Sequence, residues 1–292
     1  MTKQLSLKKT PLRYPGGKSR GIKTISQYLP QKFSEYREPF IGGGSVFIYL
    51  KQIYPDLKFW INDLNPELYL FWKIAQSNLS DLIQEITHIK NNRQEGKKIF
   101  EELTTVNLDN LSELERAVRF FVLNRITFSG TVESGGFSEQ AFQKRFTESS
   151  IKRLEQLEII LKDVKMTNLD YREVLLEPGE NIFTFLDPPY LAATPSRLYG
   201  KDGNLHTSFD HKRFANTMKH CQHQWLITYD NSPEIKTDFA DFNIIEWELQ
   251  YGMNNYKQGK ADKGKELIIT NYPVTIKQDH PKIEQLSLDL FF

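Results

Sequence analysis

One cysteine, Cys221, stands in a chain of 292 residues. A single thiol excludes an internal disulfide framework, and it excludes a zinc knuckle built on paired cysteines. A reducing, intracellular setting is the expectation that follows. No apolar run approaches the roughly 20 residues that span a bilayer, so no membrane segment is expected. Met1 to Thr10 is basic and polar and lacks the apolar core of a secretory signal. The six histidines fall at no metal-ligand spacing and read as surface or loop residues. Internal repeats and low-complexity tracts are missing too.

An excess of one charge sign is also lacking, with a formal net charge of +1. That balance does not decide nucleic-acid binding, because phosphate contact depends on local clusters. Basic clusters do occur, at Arg13, Lys18, Arg20 and Lys23, and at Arg116, Arg119 and Arg125. Others are Lys144, Arg145, Lys152 and Arg153, then Lys257, Lys260, Lys263 and Lys265. Each taken alone fits a solvated face.

What is present, 39% hydrophobic and 26% charged residues, fits one large globular domain or a core domain with an insert. A short run from Tyr36 to Phe40 ends in the glycine turn Gly42-Gly43-Gly44. A helical pattern follows, with Val46, Phe47, Tyr49, Leu50 and Ile53 at three and four spacing. Phe59-Trp60-Ile61 reads as a buried strand, and Pro66 suits the first turn of the next helix. From about Leu79 to Arg125 the chain reads helical. Thr127 to Phe146, rich in Gly, Ser, Thr and Phe, suits a hairpin or an ordered loop. Ser149 is placed to cap a helix running through Leu161. Strands are expected at 164–169, 182–186, 225–229, 242–249 and 266–271. This alternation argues for an α/β domain with a mainly parallel sheet, carrying an insert of different architecture at 79–146.

In such sheets ligands bind beyond the C-terminal ends of the strands. Glu38 to Gly44 follows the first strand, and its glycines let backbone approach a ligand closely. Asp63 ends the next strand about twenty residues later, where a carboxylate can accept hydrogen bonds from ribose hydroxyls. A nicotinamide cofactor would want G-x-G-x-x-G, which needs glycine at Phe47. A nucleoside cofactor without a pyrophosphate fits better. Asp187-Pro188-Pro189-Tyr190 follows the most apolar strand. Its consecutive prolines fix φ and remove two amide donors. An acceptor carboxylate, a rigid carbonyl and an aromatic ring suit a planar amine held for attack. Tyr190 would stack on a base.

These residues, together with Arg13-Tyr14-Pro15-Gly16-Gly17-Lys18, Ile61 to Asn65 and Gly264 to Tyr272, resemble the Dam-like, D12-type adenine-N6 DNA methyltransferases. The resemblance runs from Leu12 to about Tyr272. It implies a class I, Rossmann-like S-adenosylmethionine-dependent fold with a mostly helical target-recognition insert. The catalytic parts would be 1–78 and 147–276, the insert 79–146 and the tail 277–292. By resemblance Tyr14, Lys18, Phe40, Gly42, Asp63, Asp170 and Asp187 contact S-adenosylmethionine. Asp187, Pro188 and Tyr190 hold an adenine flipped out of double-stranded DNA, and no metal takes part. Tyr14 stands where many relatives carry Trp, and tyrosine can still stack.

Leu123-Asn124-Arg125 matches the opening of the family's DNA-reading segment. Asn124, Arg125 and Ser129 are the DNA-contact candidates, with Arg125 toward a base edge or a phosphate. Thr127 to Ser138 then departs from the GATC-reading hairpin of Dam. At the tail, Gln285, Leu288, Phe291 and Phe292 resemble a sliding-clamp-binding peptide, with packing on the chain's own domain as the rival. The expected setting is cytoplasmic, at the nucleoid, with a cognate restriction endonuclease as a candidate partner. Two other functions remain at this point: methylation of RNA adenine or DNA cytosine N4, and DNA binding without catalysis.

Overall fold

Ile182–Leu186 (β4) is buried at every residue, and Gln224–Asp230 (β5) at all but its first. Strands this apolar on both sides belong to a parallel sheet covered on both faces. The computed structural model describes residues 7–93, 95–191, 208–249 and 264–274. The remaining strands are Glu35–Glu38 (β1), Lys58–Asn62 (β2), Val164–Thr167 (β3), Asn243–Leu249 (β6) and Gly264–Thr270 (β7). They form one sheet of order β3-β2-β1-β4-β5-β7-β6. The first five strands run parallel, and β7 lies antiparallel to both β5 and β6. This is the mainly parallel α/β architecture expected of a class I methyltransferase.

Side-chain alternation splits the core into two layers. Phe183, Phe185, Leu226 and Ile268 pack on one face, while Leu186, Trp225, Ile227, Leu267 and Ile269 pack on the other. From β1 the chain works outward to β2 and β3, then returns to β4 on the other side of β1. The ends of β1 and β4 therefore flank a switch point, where a crevice opens between the departing loops.

The helices are locally well specified. Asn65 caps the helix Pro66–Ser77 by accepting from the Glu67 and Leu68 amides, with Pro66 in the first turn. The helix Glu113–Ile126 is buried continuously from Ala117 to Ile126. Phe121 stacks on Phe71, with centroids 6.0 Å apart, so the core of residues 79–146 is continuous with the helix Pro66–Ser77.

Three expectations need correction. Thr147, rather than Ser149, caps the helix Glu148–Glu155, because Ser150 bonds back to the Thr147 amide and closes a capping box. A separate turn, Leu157–Ile160, follows it. Of the hairpin and the ordered loop expected from Thr127, the loop is found as far as Ser138, with one isolated bridge, Thr127 to Phe137. Ser138 then caps a helix, Glu139–Arg145, which ends any hairpin. His211 is half-buried, packing edge-on to Phe209 and meeting the Tyr229 hydroxyl through Nδ1.

No helix among the described residues is long and apolar enough to cross a membrane. Lys257, Lys260 and Lys263, and the tail residues Gln285, Leu288, Phe291 and Phe292, lie outside the described residues.

Candidate active site

The crevice at the switch point is a cleft of about 470 Å³. Its lining includes Tyr14, Lys18, Phe40, Gly42, Asp63, Asp170, Asp187, Pro188 and Tyr190. Every candidate cofactor or catalytic residue of the sequence thus lines one cavity, although they come from segments far apart in the chain.

Asn62 draws the strand ends together. Its amide donates to the carbonyls of Pro39 and Leu169, each at 3.0 Å, and its oxygen accepts from Thr167 Oγ1 and the Leu169 amide. The next residue, Asp63, accepts from the Gly42 amide and the Asn65 amide, both at 3.0 Å. Burial raises its carboxyl to about 6, against those backbone bonds, which favour the charged form.

Gly42 and Gly44 both have positive φ, at +47° and +67°. A Cβ on Gly42 would lie 2.9 Å from the Tyr14 ring, and one on Gly43 would lie 2.8 Å from Tyr14 Cβ. The turn can therefore sit flat beneath Tyr14 only as glycine.

On one side, Phe40 packs with Tyr171 at 5.4 Å and Phe209 at 5.8 Å, forming an aromatic wall. Asp170 caps the helix Tyr171–Leu176 and pairs with Arg172 through Oδ1 at 2.8 Å. Burial pushes the Asp170 carboxyl up, but the Arg172 bonds and charge outweigh it, leaving a net depression. Glu38 lies beneath the turn, 2% exposed, and accepts from the Tyr36 hydroxyl at 2.5 Å. Burial, with Asp187 and Asp63 nearby, raises its carboxyl well above the usual range despite that bond.

On the other side, Asp187 leaves the end of β4. Lys18 Nζ lies 2.8 Å from its carboxylate, and Thr228 Oγ1 from β5 donates to Oδ1 at 2.8 Å. Lys18 itself is 2% exposed and also donates to the Gly16 carbonyl. Tyr190 stacks on Tyr229 with centroids 5.8 Å apart, and Lys18 Nζ sits 4.8 Å from its centroid. The Leu191 amide donates to Asp230 at 2.8 Å, which ties the loop to β5.

The three DNA-contact candidates stand apart from the cleft. Asn124 is fully buried and bonds to both Arg13 main-chain groups and to the Gly130 carbonyl. Arg125 is 3% exposed, and its Nε and Nη2 have no hydrogen-bond partner among the described residues. Burial, and then Arg13, Arg153 and Arg145, lower its guanidinium to about 9. Ser129 adopts φ +60° in the turn Phe128–Gly130, where a Gly130 Cβ would meet the Arg13 carbonyl at 2.5 Å.

Asn62, Tyr171 and Glu266 lie in or beside the sequence motifs without a role assigned to them, and Thr228 and Phe209 carry no signal there. Asn62 adjoins Asp63 and offered a polar residue inside an apolar strand as a signal. Phe209 and Thr228 become visible only through tertiary contacts.

A family match covers residues 14–253, to the D12 class N6 adenine-specific DNA methyltransferases. Among named relatives, a type II methyltransferase, M1.LlaDCHI of Lactococcus lactis subsp. cremoris, is 26% identical over 283 residues. The alignment spans 89% of this chain and 94% of that protein. The type II methyltransferase M.MjaIII of Methanocaldococcus jannaschii is 28% identical over 199 residues, spanning 61% of this chain and 68% of the relative. A DNA adenine methylase of Vibrio cholerae is 24% identical over 270 residues, spanning 86% and 93%. With its cleft and its matched segments in one order, this chain belongs to the D12 class of N6 adenine-specific DNA methyltransferases.

Proposed function

We propose that the cleft binds S-adenosylmethionine and presents its methyl group to the N6 amine of an adenine flipped out of double-stranded DNA. The observation that carries this reading is Asp187, held by Lys18 and Thr228 at the end of β4 in the same cleft as Asp63.

The donor set fits the cofactor's chemistry. Asp63 can accept from a ribose diol while Gly42 holds its carboxylate. The wall of Phe40, Tyr171 and Phe209 offers a slot for a purine. The acidic lining of Asp63, Asp170 and Asp187 suits a molecule carrying a sulfonium and an ammonium. S-adenosylmethionine supplies an already activated methyl group. Asp187 and the Pro188 carbonyl accept from the two N6 protons, which favours attack by an otherwise delocalised lone pair. Tyr190 supports the flipped base by stacking.

Residues 79–146 form the target-recognition part in this reading. Arg13, Arg125, Arg145 and Arg153 lie near enough to repel one another, and burying the Arg125 cation, over the Phe121 ring but with Nε and Nη2 unbonded among the described residues, is costly. A phosphodiester would relieve that cost. Asn124 would act through Arg13, whose backbone it holds. Phe128, 71% exposed beside Ser129, is an aromatic surface available to a base.

Single-molecule sequencing of DNA from cells expressing the protein tests the whole reading. The expected result is N6-methyladenine in a single sequence context. N4-methylcytosine would replace the proposed acceptor, and unmodified DNA would remove it.

A further inference from the structure

Glu266 on β7 is 1% exposed; its carboxyl oxygens make no close hydrogen bond among the described residues, and the Tyr190 hydroxyl faces them as a donor. A buried carboxyl in this state costs stability, and no strand contact repays it. The groups facing it come from four segments. Lys18 Nζ lies 4.0 Å from Oε1. Asp187 and Tyr190 face it from the loop after β4, and Asp230 is its register partner at the end of β5. The β6 partner, Trp247, carries no titratable group.

Lys18 thus stands between two carboxyls, 2.8 Å from Asp187 and 4.0 Å from Glu266. Burial raises the Glu266 carboxyl to about 7, with Lys18 opposing and Asp187 adding to the rise. A group of this kind exchanges a proton near neutrality.

Methyl transfer to an amine releases a proton. The N6 lone pair forms the new N–C bond, the C–S bond breaks with its pair going to sulfur, and the nitrogen is cationic until it loses one proton. In the proposed function, on which this inference rests, Asp187 is the first acceptor. Its carboxylate also grips Lys18, so transfer completes within a turnover only as Asp187 passes that proton on.

We propose that Glu266 is the proton reservoir behind Asp187, reached through the Lys18 ammonium. Lys18 gives one proton to the Glu266 carboxylate and takes one from Asp187. Its own charge is unchanged, Asp187 is restored as an anion, and Glu266 ends neutral. A shift of about 1 Å brings Lys18 within hydrogen-bond distance of Glu266. Glu266 discharges by the reverse path, through Lys18 and Asp187 to solvent, once the product has left the cleft. It is a relay residue, since it acts through Lys18.

The test is single-turnover methylation of duplex DNA by the full chain against pH, for wild type, Glu266→Gln and Glu266→Asp. Infrared difference spectra of the free proteins accompany it. Wild type should quicken about tenfold from pH 6 to 8, as a base of pKa near 7 loses its proton. Glu266→Gln should lose that rising limb and run about tenfold slower at pH 8. Glu266→Asp should keep a displaced limb. The wild-type spectrum should contain a neutral carboxyl band that titrates near pH 7 and is missing in Glu266→Gln. An unchanged limb in Glu266→Gln, or no such band, overturns the relay. Normal transfer by Asp187→Ala would overturn the acceptor assignment itself, so the two failures are distinguishable.

Discussion

Asn124 grips the main chain of Arg13 from both sides, accepting from its amide at 3.0 Å and donating to its carbonyl at 2.6 Å. A third bond, to the Gly130 carbonyl at 2.9 Å, adds the turn that carries Ser129. The side chain is fully buried, so its removal leaves these groups without water.

Asn124→Ala should therefore lower unfolding stability by about 3 kcal/mol, from several unsatisfied buried groups. Urea denaturation measures this. An unchanged midpoint would mean that the Arg13 segment holds its place by other contacts.

Asp187→Ala should abolish most methyl transfer, by about 10²- to 10⁴-fold, because the group that orients the amine and takes its proton is gone. Duplex affinity should change little, since the basic face lies elsewhere. Single-turnover methylation and fluorescence anisotropy separate the two. Transfer at the wild-type rate would remove the central assignment.

Asp63 sets a pH dependence. Its folded carboxyl is raised to about 6, so between the ordinary carboxylate range and pH 6 the folded state holds a proton that the unfolded chain gives up. This group's contribution to stability is full below the ordinary range and is lost as pH rises through about 6. Cofactor binding runs the other way, because the ribose diol needs an acceptor. Calorimetric affinity for S-adenosylmethionine should be level above pH 7 and weaken by about tenfold per unit well below 6. A flat profile down to pH 5 would separate Asp63 from the ribose.

Arg125→Met keeps the volume of a buried side chain and removes an unpaired cation. The variant should melt higher than wild type, as buried charges replaced by apolar groups often do. Its duplex binding should weaken, with the slope of log affinity against log salt reduced by about one. An unaltered slope would leave the guanidinium without a phosphate partner.

The residues at strand ends were legible because one pattern recurs: an apolar run, then a break, then an acid. Asp63 and Asp187 both follow it, and the fold brings both to the same crevice. The strands β2, β4 and β5 were legible for the same reason. What escaped depends on contacts made across the chain. Thr147 and Ser149 both carry hydroxyls, and only the bond that the Thr147 hydroxyl accepts from the Ser150 amide decides which one caps. Asn124 has the polarity of a DNA contact, yet the approach of Arg13 turns it inward. Glu266 reads as one polar residue in a strand, and its meaning comes from Lys18, far earlier in the chain.

The segment from Arg13 to Lys18 is held at one end by Asn124, in the helix Glu113–Ile126, and at the other by Asp187. Only Tyr14 to Gly17 separate the two anchored residues, so the buried helix and the carboxylate at the end of β4 share one short stretch of main chain.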